Sequence, residues 1–262
     1  MERDLLTRHK IVVLNPKGGS GKTTIATGLA SWFASRGLET AIMDHDPLNL
    51  SMRWLSKRPE ELPPIHGVSA TELHSQMTRA YQLRTPRNTR IVIVDTPAAL
   101  SRQDLFEYLR DADVVLCPVG PSDLDIHAAS IFMNDLLRVA SSHHREGRIG
   151  VVANRVRKGT VASRNLMVFL DRLEIPVVTV LRDSQNYLHC AEGGVGLSEL
   201  EGRNVRLDRK GWGELTDWLA VRCGLDGPPL TAIDGRLDAS APADSRESSK
   251  RPPLYVVPQG KA

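Results

Sequence analysis

The chain has 262 residues, 41% of them apolar and 25% charged, with a formal net charge of +3. That is ample for the core of one good-sized α/β domain or two small ones, and the mild positive balance means that any nucleic-acid site has to come from local clustering of basic residues. Cys117, Cys190 and Cys223 lie far apart, with no Cys-x-x-Cys or Cys/His pair at metal-ligand spacing, which argues against an iron–sulfur cluster or structural zinc and suits a reducing compartment. Met1-Glu2-Arg3-Asp4 carries charges of both signs without the apolar stretch of a signal peptide, and no later run approaches a membrane span, so a cytosolic chain is expected.

The β-branched run Ile11-Val12-Val13-Leu14 feeds into Asn15-Pro16-Lys17-Gly18-Gly19-Ser20-Gly21-Lys22-Thr23-Thr24, and Ile25 to Phe33 leave it with the apolar spacing of a helix. Glycines let such a loop curl with its N–H groups inward, and the helix start adds partial positive charge, so a polyphosphate fits there. Lys22 is then placed to reach the β- and γ-phosphates and Thr23 to ligate Mg²⁺. The usual phosphate-loop pattern has glycine where this chain has Pro16, and Lys17 adds a second lysine. Arg36-Gly37 closes the helix, and Thr40 to Met43 form a strand ending in Asp44-His45-Asp46-Pro47. Strand alternation puts Asp44 and Asp46 on one side and His45 on the other, although an aspartate pair at such a point also caps turns.

A helix is expected over residues 49–54, an edge strand over 65–69 and a helix over 70–83. Ile91-Val92-Ile93-Val94 is a buried strand ending in Asp95-Thr96-Pro97-Ala98. A short helix over 103–110 and a strand over 114–118 follow, with Cys117 in the core. Ser122-Asp123-Leu124-Asp125 reads as a capping box for a helix to about Ala140, which leaves Asp125 either a local cap or a site residue. His143 and His144 fall in a polar turn and are expected to be solvated. Ile149 to Ala153 form a strand whose end delivers Asn154 and Arg155 to the edge where ligands bind, Asn154 also being able simply to cap the turn. A helix over 163–173, a last strand over 176–180 and a loop over 181–184 come next, and the glycine-rich run 191–197 reads as a surface turn. Trp212, Leu215, Trp218, Leu219 and Val221 to Cys223 form the apolar stripe of a closing helix. From Asp226 prolines, serines and mixed charges predict a disordered tail over 226–262, leaving 1–225 as the folded domain; Leu254-Tyr255-Val256-Val257 is the tail's one sticky patch, a docking strand or nothing.

Strands alternating with helices, several ending in a candidate ligand, predict a doubly wound, mostly parallel α/β sheet flanked by helices. Across residues 9–223 the chain resembles the ParA/MinD family of P-loop ATPases: Lys17 to Thr24 resembles its deviant Walker A loop, Asp44-His45-Asp46-Pro47 its Walker A′ and Asp95-Thr96-Pro97 its Walker B and switch. The resemblance implies that Gly18, Gly19, Ser20, Gly21, Lys22, Thr23 and Thr24 cradle ATP, that Lys17 reaches across a dimer to the partner's nucleotide and that Asp46 orients the attacking water. It further implies that Asp44 and Asp95 support Mg²⁺ with Thr23, and that Asn154, with Arg155 beside it, reads the adenine. The implied activity is slow MgATP hydrolysis by a sandwich homodimer that binds non-specific double-stranded DNA in its ATP state, hence nucleoid association. A ParB-like or cargo adaptor would stimulate turnover, the cargo being a plasmid, a chromosome or a protein body such as a carboxysome or chemoreceptor cluster. Arg203, Arg206, Arg209 and Lys210 are the candidate DNA contacts. Two alternatives stay open: a membrane-associated regulator like MinD, for which the prolines in the tail leave no amphipathic helix, and an ATP-dependent amidoligase, against which Lys17 counts.

Overall fold

A computed structural model describes residues 7–70, 85–202, 205–225 and 255–256. The helix expected over 70–83, Arg203 and nearly all of the tail lie outside them. The strands are β1 (His9–Val13), β2 (Thr40–Asp44), β3 (His66–Ser69), β4 (Ile91–Asp95), β5 (Val114–Val119), β6 (Ile149–Val156) and β7 (Val177–Arg182). They form one parallel sheet in the order β3-β2-β4-β1-β5-β6-β7. The helices are α1 (Lys22–Ala34), α2 (Leu50–Leu55), α3 (Arg102–Arg110), α4 (Asp123–Val139), α5 (Ser141–Arg145), α6 (Val161–Leu170), α7 (Asn186–Gly193) and α8 (Arg206–Arg222).

Helices cover both faces, which is why the central strands are apolar at every position rather than at alternate ones. Ile11, Val13, Ile42, Ile91, Ile93, Val114 and Leu116 face a core with α1, α2, α7 and α8. Val12, Leu14, Ala41, Met43, Val92, Val94, Val115 and Cys117 face α3, α4 and α6. This alternation continues to the strand ends. Asp44 and Asp95 share the parity of Ile42 and Ile93, so both carboxylates lie toward α1 and α2. They also stand opposite each other in the β2–β4 register. His45 has the other parity, and its ring packs edge-on against Tyr108 of α3 at 5.4 Å between centroids.

Several expectations need correction. The run 191–197 is not a surface turn: it completes α7 and then sinks, with Val195 and Leu197 buried. Its glycines answer to close packing, because a Cβ at Gly196 would overlap Ser31 and one at Gly194 would fall 2.5 Å from the Arg58 backbone nitrogen. The segment 181–184 is not all loop, since β7 runs to Arg182. The closing helix begins six residues earlier than its tryptophan stripe, at Arg206. Gly211 and Gly213 hide this in the sequence, but Gly211 lets α8 approach β7 closely, where its carbonyl accepts from the Thr179 hydroxyl at 2.9 Å. Val221 is 76% exposed and leaves the stripe, while Trp212, Leu215, Leu219 and Cys223 are buried. His143 is not merely solvated; its Nε2 lies 3.0 Å from the Ala112 carbonyl. Of the tail's apolar patch, Tyr255 and Val256 pair in parallel with Leu200 and Glu201.

Trp212 of α8 lies against Trp32 of α1 with ring centroids 6.4 Å apart, and a Cβ at Gly28 would overlap its six-membered ring. Gly28 therefore costs α1 about 1 kcal/mol of helix propensity and leaves room for the tryptophan. Gly28→Ala is predicted to lower stability by about 1–3 kcal/mol through overpacking, despite the better helix former. Urea unfolding monitored by tryptophan fluorescence checks this, and a rise in stability would contradict it.

Candidate functional site

The strand order reverses around β1, with β4 on one side and β5 on the other, so the glycine loop rises at the crevice where such sheets bind ligands. Leu14 continues β1 by bonding to β5, and Asn15 then shapes the loop: its amide donates to the Pro118 carbonyl at 2.6 Å and its Oδ1 accepts from the Lys17 amide at 2.8 Å. Gly21 caps α1 at φ 99°, a left-handed conformation that favours glycine. Asn154 presses on it so closely that no Cβ would fit, donating to the Ser20 carbonyl at 2.9 Å and accepting from the Arg155 amide at 3.0 Å. The next residue, Arg155, holds φ 55° in a β6 irregularity and is exposed at the sheet edge. Strain of this kind collects at functional sites.

The two lysines are used differently. The Lys22 amine is buried and points back to the Lys17 carbonyl at 3.4 Å. Burial pushes its pKa down, against the charges of Asp95 and Asp46, which raise it. Lys17 instead forms an ion pair with Asp125, its side chain 32% exposed. The local capping reading of Asp125 holds: its other oxygen completes the capping box with Ser122 at the start of α4. Burial pushes the Asp125 carboxyl up, but the hydrogen bonds of Lys17 and Ser122 outweigh it and leave the pKa lowered.

Facing the loop are the aspartates. Asp44 is fully buried, and its oxygens accept from the Asp46 amide at 3.0 Å, the Ser51 amide at 2.9 Å and the Met52 amide at 3.2 Å, so it anchors the start of α2. Asp46 is half-buried and accepts from the Leu48 amide at 2.9 Å. Asp95 is fully buried; Oδ2 accepts from the Ser51 hydroxyl at 2.7 Å and Oδ1 has no partner. Desolvation raises its pKa to about 7, against the hydroxyls of Ser51 and Thr23 and the Lys22 charge. Thr96 is anchored through its hydroxyl to the Val13 carbonyl at 2.8 Å, and the Ala99 amide reaches the Pro16 carbonyl at 2.8 Å, joining the segment after β4 to the loop. A cavity of about 360 Å³ opens beside the first turns of α1, lined among others by Thr23, Thr24, Trp54, Tyr187 and Trp212.

The site thus combines a glycine loop and a helix start suited to phosphate with a buried carboxylate suited to a cation. Two orphaned buried atoms fit that pair: Ser20 Oγ on the loop and Asp95 Oδ1 at the sheet edge. Asn15, Ser51 and Asp208 are the residues that sequence reasoning missed. Asp208 is buried in α8 and accepts from Ser184 at 2.8 Å and Asn186 at 2.6 Å, besides pairing with Arg182, which fixes the segment between β7 and α7. No spacing pattern marks Asn15 or Asp208; for Ser51, the parity of Asp44 and Asp95 was the available signal. Of the basic candidates, Arg206 and Lys210 are exposed. The Arg209 guanidinium is occupied by the carbonyls of Leu197, Ser198 and Leu200.

A family model described as the CobQ/CobB/MinD/ParA nucleotide binding domain matches residues 11–195. The chain belongs to that family. Among its relatives, the "Maintenance of carboxysome distribution protein A" of Halothiobacillus neapolitanus is 27% identical over 194 residues, covering 74% of this chain and 88% of the relative. The fold is shared with a putative plasmid partition protein of Borrelia burgdorferi bound to AMPPNP, at a TM-score of 0.61 and 15% identity, covering 80% of this chain and 99% of the other. It is shared also with the septum site-determining protein MinD of Pyrococcus horikoshii complexed with Mg-ADP, at a TM-score of 0.59 and 15% identity, covering 82% and 99%. Among the described residues of this family member, no helix is long and apolar enough to cross a membrane.

The raised pKa of Asp95 sets a pH dependence. In the unfolded chain its carboxyl titrates near 3.8 and in the folded one near 7, so between these values the native state holds the extra proton. The contribution of Asp95 to stability is greatest below the unfolded value and is lost as pH rises through about 7. Denaturant midpoints from pH 5 to 8 without metal or nucleotide should therefore decline less steeply in Asp95→Asn than in the wild type. Equal slopes would contradict the assignment.

Proposed function

We propose that this family member is a ParA-type positioning ATPase: it binds MgATP at the carboxyl edge of the sheet, dimerises around two nucleotides, holds non-specific DNA in that state and hydrolyses ATP slowly when an adaptor protein engages it. On this reading residues 1–225 are the ATPase domain and 226–262 an appended tail. The names of two relatives support the positioning role, one distributing carboxysomes and one a putative plasmid partition protein. Solved relatives with AMPPNP and with Mg-ADP support the ligand, as do the orphaned Ser20 and Asp95 atoms.

The observation that carries the reading is the division of labour between the lysines. Lys22 is turned into its own loop, whereas the Lys17 amine stands outside it, half-exposed on Asp125, where a second copy can meet it. In this reading Lys22 and the amides of Gly18 to Thr24 neutralise phosphate charge, and Thr23 and Asp95 hold the cation's shell. Asp44 acts through α2, Asp46 orients water, and Asn154 and Arg155 border the base. Bound Mg²⁺ would neutralise charge on the phosphates during transfer. Lys22→Ala should abolish ATP binding, while Lys17→Ala should keep most of it and lose the ATP-dependent dimer. Sedimentation velocity with and without ATP distinguishes the two, and a Lys17→Ala protein that still dimerises with ATP would reject the sandwich.

For DNA, the contacts we put forward are Arg206 and Lys210, both exposed near the start of α8. Arg206→Glu with Lys210→Glu should weaken DNA retention and preserve the ATP-dependent dimer. For every phosphate that the variant no longer neutralises, the log–log salt slope should become shallower by about 0.9. Fluorescence anisotropy with two unrelated duplexes checks this; retention unchanged by the double replacement would remove α8 from the DNA surface.

A further inference from the structure

Ser51 lies in the first turn of the short helix α2, yet it is fully buried and makes two bonds that point at the site. Its amide donates to Asp44 Oδ2 at 2.9 Å, and its hydroxyl donates to Asp95 Oδ2 at 2.7 Å. Asp44 fixes where α2 begins, α2 fixes the hydroxyl, and the hydroxyl takes up one of the two oxygens of Asp95. The oxygen left over, Oδ1, is buried without a partner. A buried carboxylate with both oxygens unpartnered has two equivalent ways to turn; one with Oδ2 held presents Oδ1 alone.

The far end of α2 keeps this arrangement rigid. Trp54 donates its indole N–H to the carbonyls of Cys190 at 3.1 Å and Val195 at 3.3 Å. Just past the helix, the buried Arg58 pairs with the buried Glu199, and any rotation of this segment would break that pair. The hydroxyl of Ser51 is thus carried on a segment fastened at both ends, and its position is imposed by the fold rather than chosen by its own rotamer.

We propose that Ser51 is a positioning residue for the Mg²⁺ shell: by holding Asp95 Oδ2 it directs Asp95 Oδ1 toward the hydrated cation that accompanies the nucleotide. The inference rests on the reading of Asp95 as the carboxylate of that shell. Residues that orient metal-binding groups from behind change metal affinity by about tenfold or more when removed, without touching the metal. Ser51 differs from a packing residue in this respect: its loss should change cation affinity while leaving metal-free nucleotide binding in place.

The test is the affinity of Mn²⁺, used as the paramagnetic stand-in for Mg²⁺, for the full chain saturated with a non-hydrolysable ATP analogue, read by electron paramagnetic resonance. Ser51→Ala should weaken Mn²⁺ binding about tenfold. Affinity for the analogue in EDTA should remain within about twofold of the wild type. Ser51→Cys, close in volume but a weak donor, should behave like Ser51→Ala and covers the case in which the alanine variant is unstable. In a double-mutant cycle, Ser51→Ala should add nothing to Asp95→Asn. If Asp95→Asn weakens Mn²⁺ and neither Ser51 variant does, the positioning role is overturned and the reading of Asp95 survives. If Asp95→Asn itself leaves Mn²⁺ affinity unchanged, the reading of Asp95 falls and the inference with it. Equal losses of Mn²⁺ and metal-free analogue affinity in the Ser51 variants would reduce Ser51 to a packing residue.

Discussion

A carboxylate placed where no water reaches it is the constraint around which this molecule is arranged. Asp95 ends the strand next to the central one, fully buried, with one oxygen held and the other unpartnered. Burying such a group in its charged form is costly unless a cation or donors compensate. The protein supplies part of the compensation itself. The hydroxyls of Ser51 and Thr23 and the ammonium of Lys22 favour the charged form, and desolvation still wins, holding the carboxyl near neutral titration. The remainder is what a hydrated metal ion would provide, which gives the site a built-in demand for one.

The surrounding loop is organised by a similar shortage of free groups. Asn15 and Asn154 act as two braces, one bonding the loop's beginning to β5 and the other its end to the neighbouring β6. The left-handed Gly21 is the hinge between them, and the close approach of Asn154 leaves no room for any other residue there. Lys22 is thereby confined to the loop's interior. Lys17 escapes that confinement and rests on Asp125, at the start of a helix that packs on the opposite face of the sheet from α1. One lysine is fixed in place by burial; the other is held by a part-buried ion pair with Asp125.

Much of this was legible in the sequence, for physical reasons that differ from place to place. The parallel sheet announced itself because strands covered on both faces need apolar residues throughout, and 11–14, 91–94 and 114–117 supply them. The loop and the two aspartate motifs lie where those runs stop. What escaped was set by tertiary contact. The glycines at 194 and 196 look like a flexible turn but are small because Arg58 and Ser31 lie against them. Gly211 looks like a helix breaker but admits β7. Arg209 reads as surface charge until the carbonyls of the buried 3-10 turn at Leu197–Glu199 are seen to occupy it. Ser51 was the omission with the clearest available cue, because strand parity already put Asp44 and Asp95 on one face and left the next helix to cover them.

The central claim is that the carboxyl edge of the sheet is a nucleotide site whose cation demand comes from Asp95. Equilibrium binding of a fluorescent ATP analogue to the full chain, measured across a Mg²⁺ titration at constant ionic strength, tests it most directly. The account predicts measurable binding in EDTA and an affinity that strengthens as Mg²⁺ rises, saturating as the cation site fills. No binding at millimolar analogue, or an affinity indifferent to Mg²⁺, would contradict it.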